Sequence, residues 1–118
     1  PGTSGGVSSL GFAGAILAAV VIGVMAFFFG ILGPSLSVVV VCIIGGLVGA
    51  VADSYIGALV QRRGYCKICL KPTEALRHCG EKTKSTGGTS FIENNVVNLL
   101  ATIVGGAASA GVLLALSF

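Results

Sequence analysis

Two sets of residues in this chain have the type and spacing to do chemistry. The first is Cys66-x-x-Cys69 followed by His78-Cys79. Zinc takes thiolate and imidazole donors in tetrahedral sets, and the two-residue gap between Cys66 and Cys69 suits a zinc knuckle. The pair His78-Cys79 is a harder geometry, because adjacent side chains tend to diverge, and Glu74 or a water is an alternative fourth ligand. A closed set of this kind leaves no open coordination position, so the Zn²⁺ it predicts is structural. Cys42 lies inside an apolar run and reads as a small apolar residue.

The second set is built from a carboxylate, amides and a glycine-rich turn beside long apolar runs. Asp53 is the one carboxylate inside such a run, and an unpaired buried carboxylate is costly to keep. Gly45, Gly49, Gly57 and Gln61 share its helix face at four-residue spacing, which predicts a glycine-lined groove able to hold a metal ion or a substrate. The alternative is a helix-end Asp that is solvated or paired with Arg62 or Arg63. Asn94, Asn95, Asn98 and Thr102 recur at spacings of three and four, on one side of a helix. Those amides can bind phosphate or complete a metal shell. Equally, they can hydrogen-bond between membrane helices at roughly 0.6–2 kcal/mol per contact, and Asn94 can cap its helix. The segment Pro1-Gly2-Thr3-Ser4-Gly5-Gly6-Val7-Ser8 is a glycine-rich turn leading into a helix, where free N–H groups and the helix dipole suit an anion. No Gly-Lys-Ser/Thr follows, so it is not a Walker A loop. A flexible leader with a Ser cap explains it as well.

The elements that position these residues are apolar and long. Of the 118 residues, 54% are hydrophobic and 9% charged, a balance outside that of soluble domains. The charged positions all fall between Asp53 and Glu93, which leaves two uncharged flanks long enough to cross a bilayer. The fold class is therefore all-α integral membrane, with about three transmembrane helices at roughly 10–32, 35–60 and 93–116. Gly33-Pro34-Ser35 makes the first turn, with Pro34 suited to the first helical position. The second span would be roughly 39 Å long at 1.5 Å per residue. A hydrocarbon core is roughly 30 Å thick, so Asp53 is placed near an interface and away from the midplane. No basic segment precedes the first span and no cleavage-like motif follows it, which argues against a secretory leader.

Between the second and third spans lies a long loop, 61–92, rich in Gly, Ser and Thr from Thr83 to Ser90. A loop of this length without evident secondary structure is expected to be functional or disordered. All seven Lys and Arg residues lie in it, between Arg62 and Lys84, and such residues mark the cytoplasmic side. Three spans then put the N-terminus on the same side and the 33–35 turn on the other. Parity brings the Gly-rich turn, Asp53-Ser54 and the Asn cluster to the cytoplasmic face. The basic loop carries no interleaved aromatic surface, so nucleic acid is not an expected partner. The chain reads as a single membrane domain, 1–118, and its start at Pro rather than Met predicts the C-terminal part of a larger one.

Taken in order, Pro1 to Ser8, Gly49-Ala50-Val51-Ala52-Asp53-Ser54-Tyr55-Ile56-Gly57-Ala58 with Gln61, and Asn94-Asn95-Val96-Val97-Asn98-Leu99-Leu100 resemble an integral-membrane family formerly described only as a domain of unknown function. That family includes transmembrane protein 19 and the plant phytyl-phosphate kinases. Cys66-x-x-Cys69, Thr73-Glu74 and His78-Cys79-Gly80 resemble its prokaryotic branch, and the resemblance spans nearly the whole chain. Two departures stand out. The family's acidic signature upstream of Pro-Gly-Thr lies outside this sequence, and position 95 is Asn where many relatives carry Asp. Animal relatives lack the cysteines, which again makes any zinc structural.

The resemblance implies a CTP-dependent kinase of phytyl or other isoprenoid monophosphates, transferring phosphoryl at the cytosolic leaflet. Asp53 would then hold Mg²⁺, and Asn94, Asn95 and Asn98 would complete the phosphate or metal shell. Thr3, Ser4, Gly5 and Gly6, with Ser54, would contact phosphate, and Arg62, Arg63, Lys82 and Lys84 would attract the nucleotide triphosphate. The lipid tail would lie along the glycine-lined helix faces. The missing N-terminal region or a homo-oligomer partner would complete the site. Kinship with CTP-using enzymes makes a lipid-phosphate cytidylyltransferase the alternative, distinguished by its product. A non-catalytic subunit or half-transporter is a third reading, although half-transporters place their polar site near the midplane.

Overall fold

The computed structural model describes residues 6, 8–31 and 35–116. The element order is α1 (Ser9–Phe28), α2 (Ser37–Val60), β1 (Arg63–Tyr65), β2 (Pro72–Thr73), β3 (Arg77–His78), β4 (Glu81–Lys82), β5 (Lys84–Gly87) and α3 (Asn94–Leu116). All three helices are long and apolar enough to cross a membrane. Packing divides the chain into two compact units, one of Val7–Ala52 with Leu100–Phe118 and one centred on Asp53–Leu99.

In the first unit, helix ends follow local chemistry. The Ser8 hydroxyl accepts from the Gly11 N–H at 3.0 Å and caps α1. At the other end, Gly30 takes a left-handed φ of 66°. The Gly30 N–H reaches the Phe27 carbonyl at 3.1 Å, and the Ile31 N–H reaches the Ala26 carbonyl at 3.0 Å. This pair of bonds is a Schellman cap. It ends α1 at Phe28, four residues short of the span read to position 32, because Gly30 turns the chain out of the helix. The Ser35 hydroxyl, hydrogen-bonded to that of Ser37, accepts from the Ser37 N–H before α2 begins. The proposed role of Pro34 falls outside the described residues.

Small residues set how closely the helices approach. A Cβ on Gly23 would lie 2.9 Å from the Val39 backbone, and one on Gly46 would lie 2.9 Å from the Ala19 Cβ. Between α2 and α3 the approach is tighter. A Cβ on Gly105 would meet the Gly45 carbonyl at 2.7 Å and the Gly49 Cα at 3.3 Å. The Ser109 hydroxyl donates across this seam to the Val41 carbonyl at 3.3 Å. Gly45-x-x-x-Gly49 thus meets Ala101-x-x-x-Gly105-x-x-x-Ser109 by the small-residue rule of membrane helices. The expectation that the glycine face of α2 receives a lipid tail is corrected here, because at Gly45 and Gly49 the backbone of α3 fills it. Large side chains such as Leu17, Ile22, Ile103 and Leu114 remain exposed, as a lipid-facing surface requires.

The second unit corrects the reading of 61–92 as a loop without secondary structure. Strand order β2-β1-β5 makes a three-stranded antiparallel sheet, and β3-β4 makes a separate hairpin. Gly64 pairs with Thr73 on one side and Ser85 on the other, and His78 pairs with Glu81.

Candidate functional site

The Cys/His residues sit on two tight turns. After β1 the chain turns through 67–69, and Leu70 takes a left-handed φ of 54° before β2 returns antiparallel. The Cys66 N–H donates to the Lys71 carbonyl at 3.0 Å, closing this knuckle. The second turn is the two-residue link of the β3–β4 hairpin. Cys79 and Gly80 occupy it with φ of 51° and 83°, the signs of a type I′ turn. A non-glycine residue seldom takes that conformation, and here it redirects the Cys79 side chain beside that of His78. The expected awkwardness of adjacent ligands is thereby removed. His78 Nδ1 lies 3.4 Å from Cys69 Sγ and 3.2 Å from Cys79 Sγ. The ligand atoms of Cys66, Cys69, His78 and Cys79 all lie within 4.8 Å of one another.

The electrostatics differ between the two turns. The backbone N–H of Cys69 donates to the Cys66 sulfur and, against an opposing desolvation, brings its thiol down from 9.0 to about 6, with help from His78 and the Ile68 N–H. Desolvation pushes Cys79 the other way, to about 11, joined by hydrogen bonds and charge repulsion from Cys69 and Cys66. A knuckle whose N–H groups point at sulfur favours the thiolate, the form that binds metal. Cys66 is also the most enclosed of the set, 2% exposed. The alternative ligand Glu74 is engaged elsewhere, accepting from Gln61 Nε2 at 2.7 Å.

A buried polar brace, not foreseen in the sequence, holds the turns in place. Gln61 and Arg62 are both almost fully enclosed. The Arg62 Nη1 donates to the carbonyls of Glu74 at 2.8 Å and Ala75 at 2.7 Å, and its Nη2 donates to the Thr83 hydroxyl at 2.8 Å. Thr83 passes a further bond to the Ala75 carbonyl at 2.7 Å. The Arg62 Nε has no hydrogen-bond partner among the described residues. Glycine is needed at Gly88, which has a φ of 73° and on which a Cβ would overlap the Gln61 carbonyl. The brace also ties the sheet to the helix ends: the Thr89 N–H donates to the Val60 carbonyl at 3.0 Å, and the Arg62 N–H to the Ile92 carbonyl at 2.8 Å. The only sequence signal for this brace was an Arg-Arg pair directly after an apolar helix, which reads equally as a solvated charge run.

The oxygen and amide residues are placed on the same unit. Asp53 and Ser54 are half-buried in the C-terminal half of α2. Asn94, Asn95 and Asn98 are exposed on the opening turns of α3, with Val97 buried between them. Glu93 precedes them, its carbonyl accepting from the Val96 N–H at 3.0 Å. Gly6 is exposed, and the expected phosphate contacts of Thr3, Ser4 and Gly5 lie outside the described residues. Lys82 on β4 and Lys84 on β5 are exposed. Arg63 is exposed and its Nη2 donates to the Ala58 carbonyl. Arg62 departs from its expected part in attracting nucleotide, because its guanidinium is enclosed and committed to the loop's own carbonyls.

Three membrane-length apolar helices, two joined through a small folded polar segment, define a multi-pass integral membrane protein. The chain belongs to the family described as integral membrane protein DUF92, whose model matches residues 1–106. It is 29% identical over 112 residues to Protein PGR of Arabidopsis thaliana, an alignment covering 87% of this chain and 38% of that protein. The chain thus spans less than half the length of this curated relative. No solved structure matches it.

Proposed function

We propose that the protein is part of a membrane enzyme that transfers a phosphoryl group from a nucleotide triphosphate, CTP, to an isoprenoid monophosphate at the cytosolic leaflet. The observation that carries this reading is Asp53: among the described residues it is the one Asp, Glu, Lys or Arg within any of the three helices. A carboxylate kept inside an apolar span is a functional candidate by default, since its burial is otherwise only a cost. Its compact unit also contains Asn94, Asn95 and Asn98. The choice of kinase chemistry comes from the resemblance of the 1–8, 49–61 and 94–100 segments to phytyl-phosphate kinases.

Magnesium is held in such enzymes through one or two carboxylates together with substrate phosphates, and Asp53 supplies one. When bound, Mg²⁺ neutralises charge on the phosphates being transferred between. The chain's residues position the reactants: Asn94, Asn95 and Asn98 donate amide hydrogens to phosphate oxygens, while Arg63, Lys82 and Lys84 draw the nucleotide anion to the membrane surface. Thr3 to Gly6 and Ser54 supply further phosphate donors. Arg62 is left out of this set.

The test is incubation of the full-length protein in detergent or liposomes with labelled CTP, Mg²⁺ and a series of prenyl phosphates. Wild type is expected to form the prenyl diphosphate and CDP, with at least about a hundredfold loss in Asp53→Asn. Formation of a CDP-lipid with release of pyrophosphate would assign the cytidylyltransferase reaction to the same residues. Equal turnover by wild type and Asp53→Asn, or no turnover by either, would remove Asp53 from the chemistry.

A further inference from the structure

We propose that Cys66, Cys69, His78 and Cys79 form a tetrahedral zinc site that closes the 61–92 segment into a metal-fastened ribbon. In a tetrahedral site with metal–sulfur bonds of about 2.3 Å and metal–nitrogen bonds of about 2.0–2.1 Å, donor atoms stand roughly 3.5–3.8 Å apart. The separations of His78 Nδ1 from Cys69 Sγ, 3.4 Å, and from Cys79 Sγ, 3.2 Å, already lie near that value. All pairs in the set lie within 4.8 Å, so side-chain movements of about 1 Å or less complete the shell.

Two independent features of the backbone belong with a metal. The Cys66 N–H closes its turn onto the Lys71 carbonyl at 3.0 Å, with Leu70 at a φ of 54°, and this turn folds Cys69 back so that its sulfur and that of Cys66 reach the same cluster. The hairpin turn carries Cys79 at a φ of 51°, a conformation most residues avoid and which serves here to bring its sulfur beside His78 Nδ1. The two turns face each other although nothing covalent joins them, since the cysteines are free. Three sulfurs and one imidazole nitrogen make a closed Cys₃His set, the composition of structural zinc. Iron and copper are the competitors, and their spectra separate them from zinc.

The metal would act on folding. The strands are two to four residues long and do not bury an apolar core of their own. Fastening β1–β2 to β3–β4 would hold Glu74, Ala75 and Thr83 where Arg62 needs them, and through Arg62 would fix the C-terminal end of α2. This site stands or falls independently of the phosphoryl-transfer reading.

The experiment uses the full-length protein purified in detergent without chelators. Elemental mass spectrometry is expected to find about one zinc per chain. Stripping the metal and adding Co²⁺ should give the intense visible absorption of a tetrahedral thiolate site, lost again on adding Zn²⁺. Cys69→Ser should lose the bound metal, Cys42→Ser should keep it, and His78→Cys should keep it with an all-sulfur cobalt spectrum. Stripped wild type should be cleaved by protease within 61–92 at least tenfold faster than the zinc form, a comparison that needs no variant. Absence of zinc with no cobalt spectrum, bound iron or copper in place of zinc, or full zinc retention in Cys69→Ser would overturn the site.

Discussion

Arg62 and Arg63 are neighbours of the same type where the chain passes from α2 into β1, and their surroundings separate them. The Arg62 guanidinium is enclosed and answers two carbonyls and a hydroxyl, whereas Arg63 is exposed and makes a single bond to the Ala58 carbonyl. Replacing Arg62 by Met would take the guanidinium donors from the part-buried Glu74 carbonyl and Thr83 hydroxyl, while the Ala75 carbonyl keeps its bond from Thr83, at roughly 1–3 kcal/mol for each acceptor left without a donor. Arg63→Met should stay within about 0.5 kcal/mol of wild type, as exposed substitutions usually do. The readout is protease cleavage within 61–92 and the thermal midpoint in detergent. Arg62→Met is expected to open the segment and Arg63→Met to leave it closed. If Arg62→Met lowered turnover while the segment stayed as protected as in wild type, Arg62 would return to the nucleotide site. Sequence could not distinguish the pair, since the alternation of burial along Arg62 to Cys66 is set by the brace and not by hydrophobicity.

Among the elements, the helices were legible and the strands were not, for physical reasons. Apolar runs of twenty residues and more have one stable form in lipid, so α2 and α3 lie within two residues of their expected bounds. The end of α1 moved because Gly30, one of many glycines in apolar runs, turned out to hold a left-handed cap. Strands of two to four residues carry no alternation to read, and their pairing follows from turns at Leu70 and at Cys79-Gly80. The glycine pattern of α2 was legible as a groove, but its occupant, the backbone of α3, was not. That occupant is testable. Gly105→Val would drive a side chain into the Gly45 carbonyl and the Gly49 backbone. Overpacking of this kind costs about 1–3 kcal/mol or more, because two backbones must separate. Gly106→Val, where a Cβ would meet nothing within 4 Å, serves as the control with little change. Thermal unfolding of the purified protein by differential scanning fluorimetry should rank Gly105→Val well below Gly106→Val. Equal midpoints would mean that the α2–α3 seam is not packed through these glycines.

On the scale of the whole molecule, the charge distribution makes a prediction about sidedness. Lys and Arg occur only between Arg62 and Lys84, and basic residues close to span ends set the orientation of membrane proteins. With α2 and α3 both spanning, residues 61–92 should face the cytoplasm, the compartment that holds thiols reduced and supplies nucleotide. The zinc ribbon and the phosphoryl donor proposed above would both depend on that side. A single reporter cysteine decides it: Thr86→Cys on β5 is exposed and outside the Cys/His set. A membrane-impermeant maleimide should label it in inside-out vesicles and not in intact cells. The four native cysteines need no removal if the unsubstituted protein is labelled in parallel and its signal subtracted. Labelling from outside intact cells would place the ribbon away from the nucleotide pool. A CTP-dependent reaction at Asp53 would then have no donor, even with the fold unchanged.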